Sequence, residues 1–244
     1  MNGLTLGIDT STVVCAGLAR AGEVLATGTV DDTRAHAEAL LPLVQRLLRD
    51  AGLTVRDLDA VAVGVGPGPF TGLRVGVVAA RVLAQTLRLP VRGVCSLDVL
   101  AAQAVAAGLV TTDFVVATDA RRKELYWARY DASGVRVTGP AVTAPADLPA
   151  LPTCGPGASV HPVPGTVLGG VDALNAGMLA ARAWTLPDAG LEPLYLRRPD
   201  ADVPTARKSS LPAARLASFG GTDREAAARR GKEDFEGDIQ GVGR

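Results

Sequence analysis

The sequence predicts an α/β protein in two parts, with a mixed sheet in the first. Three observations carry this. Residues 4–30 read as three short strands in succession. Residues 60–95 then alternate strand, helix, strand, which implies a parallel crossover. From about residue 109 a second run of strands begins, followed by one more helix. A β-meander followed by strands alternating with helices is an α/β plan with a mixed sheet.

The strands come first. "LTLGID" (4–9), "VVCAGLAR" (13–20) and "EVLATGTV" (23–30) are apolar and of strand length, and "AGE" at 21–23 is a tight-turn signal that makes the last two a hairpin. From His36 to Ala51 the period changes. Leu40, Leu41, Val44, Leu47 and Leu48 fall on one helical face, and Gly52 stands where a helix stops. "LDAVAVGVG" (58–66) is a buried strand by composition. A glycine-proline loop leads into a helix over 72–87, and Pro90 ends the helical pattern. "VRGVCS" (91–96) is a further strand. Residues 96–108 form a further helix, with Ser96 as its N-cap and Gly108 as its stop.

The second part opens with "DFVVATDA" (113–120) and "KELYWARYD" (123–131), the latter alternating Leu125, Trp127 and Arg129 against Tyr126, Ala128 and Tyr130. "GVRVTG" (134–139) is a third strand. After a proline-rich stretch, residues 171–184 read as a helix, and "LEPLYLRR" (191–198) closes the unit. Beyond Pro199 large apolar residues are few and charges are mixed, the composition of a flexible extension or a docking tail.

Composition limits the function. Of 244 residues, 48% are hydrophobic and 20% charged, ordinary values for a folded domain with its own core. Net charge is zero and aromatic residues are 4% of the chain. Both argue against a protein that grips nucleic acid alone through phosphate neutralisation and base stacking, while leaving room for a local basic patch. Cys15, Cys95 and Cys154 have no metal-ligand spacing and read as buried, reduced thiols of a cytosolic protein. "MNGLTLGIDTST" lacks the pattern of a signal peptide, and the apolar run over 72–84 is interrupted by Arg74 and Arg81, so no membrane span is expected.

Four stretches carry candidate chemistry. In "GIDTST" (7–12), Asp9 suits a magnesium ion, and the hydroxyls and turn N–H groups suit phosphate oxygens. A polar turn in which Asp9 and Ser11 satisfy backbone groups fits equally well. "GPGPF" (66–70) looks like a phosphate cradle but lacks the P-loop lysine, and Pro67 and Pro69 remove two N–H donors. A stiff, shaped loop is the better reading, with Arg74 restoring some positive charge. The 72–87 helix is apolar nearly all round, which calls for burial on more than one side, by its own domain or by a partner. "TDARRKELYW" (118–127) offers Asp119, Arg121, Arg122, Lys123 and Glu124, which also fit a charged turn between two strands. The only histidines, His36 and His161, lie far apart and match no zinc or triad signature, so no catalytic or metal set is complete.

Together, "LGIDTST", "TRAHAEALLPLVQRLL", "LDAVAVGVGPGPFTGLRVGVVAARVLAQTLRLPVRGVCSLDVLA" and "DARRKELYWARY" closely resemble the TsaB (YeaZ) family of bacterial tRNA threonylcarbamoyladenosine biosynthesis proteins, over roughly residues 4–198. The resemblance implies an ASKHA fold: two actin/Hsp70-like, ribonuclease H-like lobes with mixed sheets flanked by helices. Residues 1–108 would form the N-terminal lobe with the partner and dimer interface, 109–198 a smaller C-terminal lobe, and 199–244 a charged tail beyond the match. It further implies a cytoplasmic subunit of the pathway that places threonylcarbamoyl on N6 of adenosine 37 of tRNA (t6A). There TsaC makes threonylcarbamoyl-adenylate, TsaD transfers the group to tRNA with a bound metal, and the ATPase TsaE resets the complex. The family member is TsaD's non-catalytic scaffold and activator, without the metal-binding histidine pair. ATP or ADP and the metal belong to partner subunits, and the chain has no cofactor of its own.

The family's contacts, with TsaD or with a second copy when TsaD is absent, carry over onto 36–50 and 72–87. The candidate interface residues are His36, Leu40, Leu41, Val44, Phe70, Leu73, Val75, Val78 and Val82. Asp9, Thr10, Ser11, Thr12, Gly68 and Arg74 are the candidate nucleotide or phosphate edge. Two competing functions remain: a nucleotide-dependent ASKHA enzyme or glycoprotease-like metallopeptidase acting alone, and a stand-alone tRNA binder.

Overall fold

In the computed structural model the described residues are 3–30 and 36–197, with the side chains of His36 and Ala37 outside that set. The tail expected over 199–244 lies outside the described residues. The first three strands are β1 (Leu4–Asp9), β2 (Val14–Arg20) and β3 (Glu23–Val30), all antiparallel neighbours. Ala21 and Gly22 turn between β2 and β3 with φ of 53° and 85°, both left-handed, as a two-residue hairpin turn requires.

Next come α1 (His36–Asp50), β4 (Ala60–Gly64), α2 (Phe70–Leu87), β5 (Val91–Val94) and α3 (Ser96–Ala106). β4 pairs parallel with β1 and with β5, giving a five-stranded sheet in the order β3-β2-β1-β4-β5. Gly52 and Gly108 take φ of 69° and 66° just past α1 and α3, the left-handed stops read from sequence.

The second sheet, in the order β8-β7-β6-β9, holds β6 (Phe114–Asp119), β7 (Leu125–Tyr130), β8 (Arg136–Thr143) and β9 (Thr153–Cys154). β8 runs past Gly139 and Pro140, where the sequence suggested an end. It is an edge strand, and an edge tolerates a residue without an N–H. β9 has two residues and no pattern of its own.

The last helix, α4 (Ala176–Arg182), is shorter than the 171–184 expected. Asn175 explains the late start: its side chain accepts from the N–H groups of Gly177 and Met178 and caps the helix. α4 lies against β1, β2 and β3 of the first sheet. Gly7 and Gly17 allow this, since a Cβ would sit 2.2 Å from the Ala176 carbonyl oxygen and 2.1 Å from the Gly177 nitrogen.

Among the described residues, the two larger of three apolar clusters follow from strand alternation. Leu4, Leu6, Ile8, Val61 and Val63 meet Leu43 and Leu47 of α1 and Val77, Ala80 and Ala84 of α2. On the other face, Cys15 and Ala62 meet Leu97 and Leu100 of α3, Leu179 of α4, and Phe114, Val116 and Tyr130 of the second sheet. β1 and β4, covered on both faces, are buried throughout.

Candidate partner face and the buried turn beneath it

Asp9 ends β1 and is wholly buried. Its Oδ1 accepts from the Ser11 N–H at 2.7 Å and the Ser11 hydroxyl at 2.6 Å, and its Oδ2 accepts from the Ser96 hydroxyl at 2.5 Å. Ser96 Oγ in turn accepts from the Gly66 N–H at 3.1 Å. Ser96 therefore does not cap α3; Cys95 holds the N-cap position, and the Ser96 hydroxyl is spent on the carboxylate. Burial pushes the Asp9 carboxyl above the usual carboxylate range, and the bonds from Ser11 and Ser96 pull it partly back. A side chain at Gly64 would not fit, because its Cβ would lie 1.6 Å from Asp9 Oδ2.

Thr10 joins this turn to α2. Its hydroxyl donates to the Gly72 carbonyl at 2.7 Å and accepts from the Gly76 N–H at 3.1 Å. A Cβ at Gly76 would reach within 2.3 Å of that hydroxyl oxygen, and one at Gly68 within 2.6 Å of the Ser11 carbonyl oxygen. The loop 66–69 is thus packed onto the Asp9 turn, and α2 starts at Phe70, two residues before its expected start. Asp9, Thr10, Ser11 and Gly68 are buried, Thr12 is half-buried, and Arg74 is exposed.

α1 and α2 are neighbours on the same face of the first sheet. Leu40, Val44 and Leu73 face the core, at 1%, 3% and 0% exposure. They hold the two helices in place and present nothing outward. Leu41, Val78 and Val82 are 55%, 56% and 57% exposed, and Val75 is half-buried. Residues 75, 78 and 82 recur at helical spacing, so they form one stripe along α2. Within this chain α2 is covered on one side: its inner side packs through Gly72, Leu73, Gly76, Val77, Ala80 and Ala84, and its outer side is open.

Phe70 is half-buried against Tyr195, with ring centroids 4.7 Å apart, and the Arg74 guanidinium sits 4.1 Å over its ring. His36 opens α1, and its side chain lies outside the described residues. Sequence reasoning missed Tyr195, which carries no motif, and assigned Ser96 a different role.

A family model described as "TsaD: tRNA N6-adenosine threonylcarbamoyltransferase" matches residues 27–201. The solved structure of YeaZ from Pseudomonas aeruginosa superposes with a TM-score of 0.65 at 30% identity, over 80% of this chain and 100% of that one. The chain belongs to the TsaB/YeaZ family. An uncharacterized protein of Mycobacterium tuberculosis is 47% identical over 208 residues, 80% of this chain and 92% of that protein. The tRNA threonylcarbamoyladenosine biosynthesis protein TsaB of Escherichia coli is 39% identical over 133 residues, 53% of this chain and 57% of that protein. Family membership supports the ASKHA-type two-lobe α/β fold read from the sequence.

In this member of the TsaB/YeaZ family no group of three or more His, Cys, Asp or Glu residues is placed to hold a metal among the described residues. His161 pairs with Asp119 at 3.2 Å. All three cysteines are free and buried, and burial pushes the Cys95 and Cys154 thiols to about 12, far from a thiolate at neutral pH. Phe70–Leu87 is long and apolar enough to cross a membrane by length and composition, yet it packs on β4 and the neighbouring strands.

Proposed function

We propose that the chain is a non-catalytic subunit of the machinery that installs N6-threonylcarbamoyl on adenosine 37 of tRNA, and that it binds and activates the transferase TsaD. The observation that carries this reading is the open stripe of Val75, Val78 and Val82 on α2, beside α1 with its exposed Leu41. Exposed apolar side chains on two adjacent helices, rimmed by Arg74, Arg81 and Gln85, fit a protein partner. The names of the TsaB relatives supply the pathway.

On this reading the chain works in the cytoplasm. TsaE and tRNA join through TsaD, nucleotide and metal are held by the partner subunits, and a second copy covers the stripe when TsaD is absent. A nucleotide at the edge of the interface would meet Thr12 and Arg74, the members of the candidate edge set that are not buried. An enzyme acting alone would need the Asp9 carboxylate, whose oxygens already serve Ser11 and Ser96.

Reconstitution tests this. With TsaC, TsaD, TsaE, threonine, bicarbonate and ATP, omission of the chain is expected to abolish t6A formation on tRNA, and the chain alone to form none. Full t6A formation without the chain would refute the proposal.

A further inference from the structure

The hairpin connection between β6 and β7 has no part in the Asp9 turn or the α2 stripe. Arg121, Arg122 and Lys123 follow one another there with φ of 59°, 53° and 60°. An L-residue avoids this left-handed region because its Cβ crowds the following carbonyl oxygen, and single Gly, Asn or Asp residues ordinarily fill it. Three long cationic side chains in succession are not what the turn needs in order to close. Closure comes from the backbone: the Ala120 N–H donates to the Glu124 carbonyl at 2.9 Å, and the Glu124 N–H donates to the Arg121 carbonyl at 3.0 Å.

The acids flanking the turn already have partners. Asp119 Oδ1 accepts from the Arg121 N–H at 3.0 Å and meets His161 Nε2 at 3.2 Å. Arg197 forms an ion pair with Glu124 and donates to the Ala120 carbonyl at 3.0 Å. Residues 121–123 are exposed, and among the described residues neither the Arg121 nor the Lys123 side chain forms an ion pair. Arg197 thus neutralises Glu124, Arg197 and His161 brace the turn from outside it, and the tip stays cationic on a chain whose net charge is zero.

We infer that the Arg121–Lys123 turn is a contact for the phosphodiester backbone of RNA. The inference rests on the functional reading above, which brings tRNA to the complex. Arginine and lysine pair with phosphate oxygens, arginine in a two-pronged manner. The aromatic residues nearest in sequence, Tyr126 and Trp127, are buried and half-buried in β7, and the turn itself offers cations and no ring, which suits phosphate rather than bases. A single turn of this kind adds affinity to an assembly and does not hold RNA alone at high salt.

The test compares the wild-type chain with Arg121→Asn/Lys123→Asn, which removes two charges and keeps residues that tolerate the left-handed backbone. Binding of fluorescein-labelled tRNA is measured between about 50 and about 200 mM salt, by the isolated chain and by the chain assembled with TsaD. The variant should melt as the wild type does and assemble with TsaD as well. Its plot of log affinity against log salt should flatten by about 1.5, two contacts at roughly 0.7–0.9 each, with a severalfold loss of affinity at the low-salt end. If the chain does not assemble with TsaD, the functional reading fails and the turn is judged by the isolated chain. The inference is overturned if the slope is unchanged, if neither preparation binds tRNA, or if polyglutamate competes as well as RNA does, since that would assign the turn to an acidic protein.

Discussion

Asp9 has no solvent contact, and burial holds its carboxyl above the usual range despite the bonds from Ser11 and Ser96. The folded chain therefore keeps the Asp9 proton more tightly than the unfolded chain does. The stability this contributes is complete below about pH 4, the unfolded value, and is lost as pH rises through the raised folded value. Asp9→Asn removes the charge and retains an acceptor for Ser11. Urea midpoints taken from about pH 4 upward should shift in the variant's favour relative to wild type. A gap that stays constant, or that widens in favour of wild type, would contradict a carboxyl raised by burial. The sequence showed that Asp9 follows a strand and precedes three hydroxyl or turn residues. It left open whether those groups serve a ligand or the protein, because Ser96, the partner that occupies Oδ2, lies 87 positions away.

At the scale of elements, α2 divides between a face that builds the fold and a face that does not. Val77 is 2% exposed and Val78 is 56% exposed, so adjacent valines separate the two. Val78→Asp should leave stability within about 0.5 kcal/mol of wild type, as an exposed substitution does. Val77→Asp buries an unpaired charge in the apolar cluster that also holds Leu6 and Ile8 of β1 and should cost at least about 3 kcal/mol. Thermal melting of both variants checks this, and equal losses would place α2 differently from the structure. The helix and its end were legible from apolar content and Pro90. The open side was not, because a helix apolar on every face gives no period by which to tell core from surface. Leu73 falls under the same limit, whereas Leu40 and Val44 lie on the apolar face that the period of α1 marks and are nominated for an interface by the family resemblance; the fold consumes all three in its core.

At the scale of the molecule, α3 is joined to the second sheet by a buried polar contact. Asp98 accepts from the Tyr130 hydroxyl at 2.8 Å and faces Arg136 at 3.5 Å. Burial raises its carboxyl, and Arg136 and Tyr130 counteract this. Asp98 Oδ2 has no hydrogen-bond partner, so Tyr130→Phe leaves the carboxylate further undersatisfied and should cost about 1–3 kcal/mol in urea unfolding. A neutral result would mean that Arg136 alone suffices. The meander, the parallel crossover and the second run of strands were all readable in the sequence, since each depends on local period and turn residues. The return of α4 to the first sheet was not, because it depends on the close approach that Gly7 and Gly17 permit across more than 150 residues. The central claim is that the outer stripe of α2 binds TsaD. Size-exclusion chromatography of the chain with TsaD tests it most directly. Wild type should co-elute with TsaD, and a folded Val78→Asp/Val82→Asp variant should elute apart from it; a wild type that elutes alone, or a folded variant that still co-elutes, would contradict it.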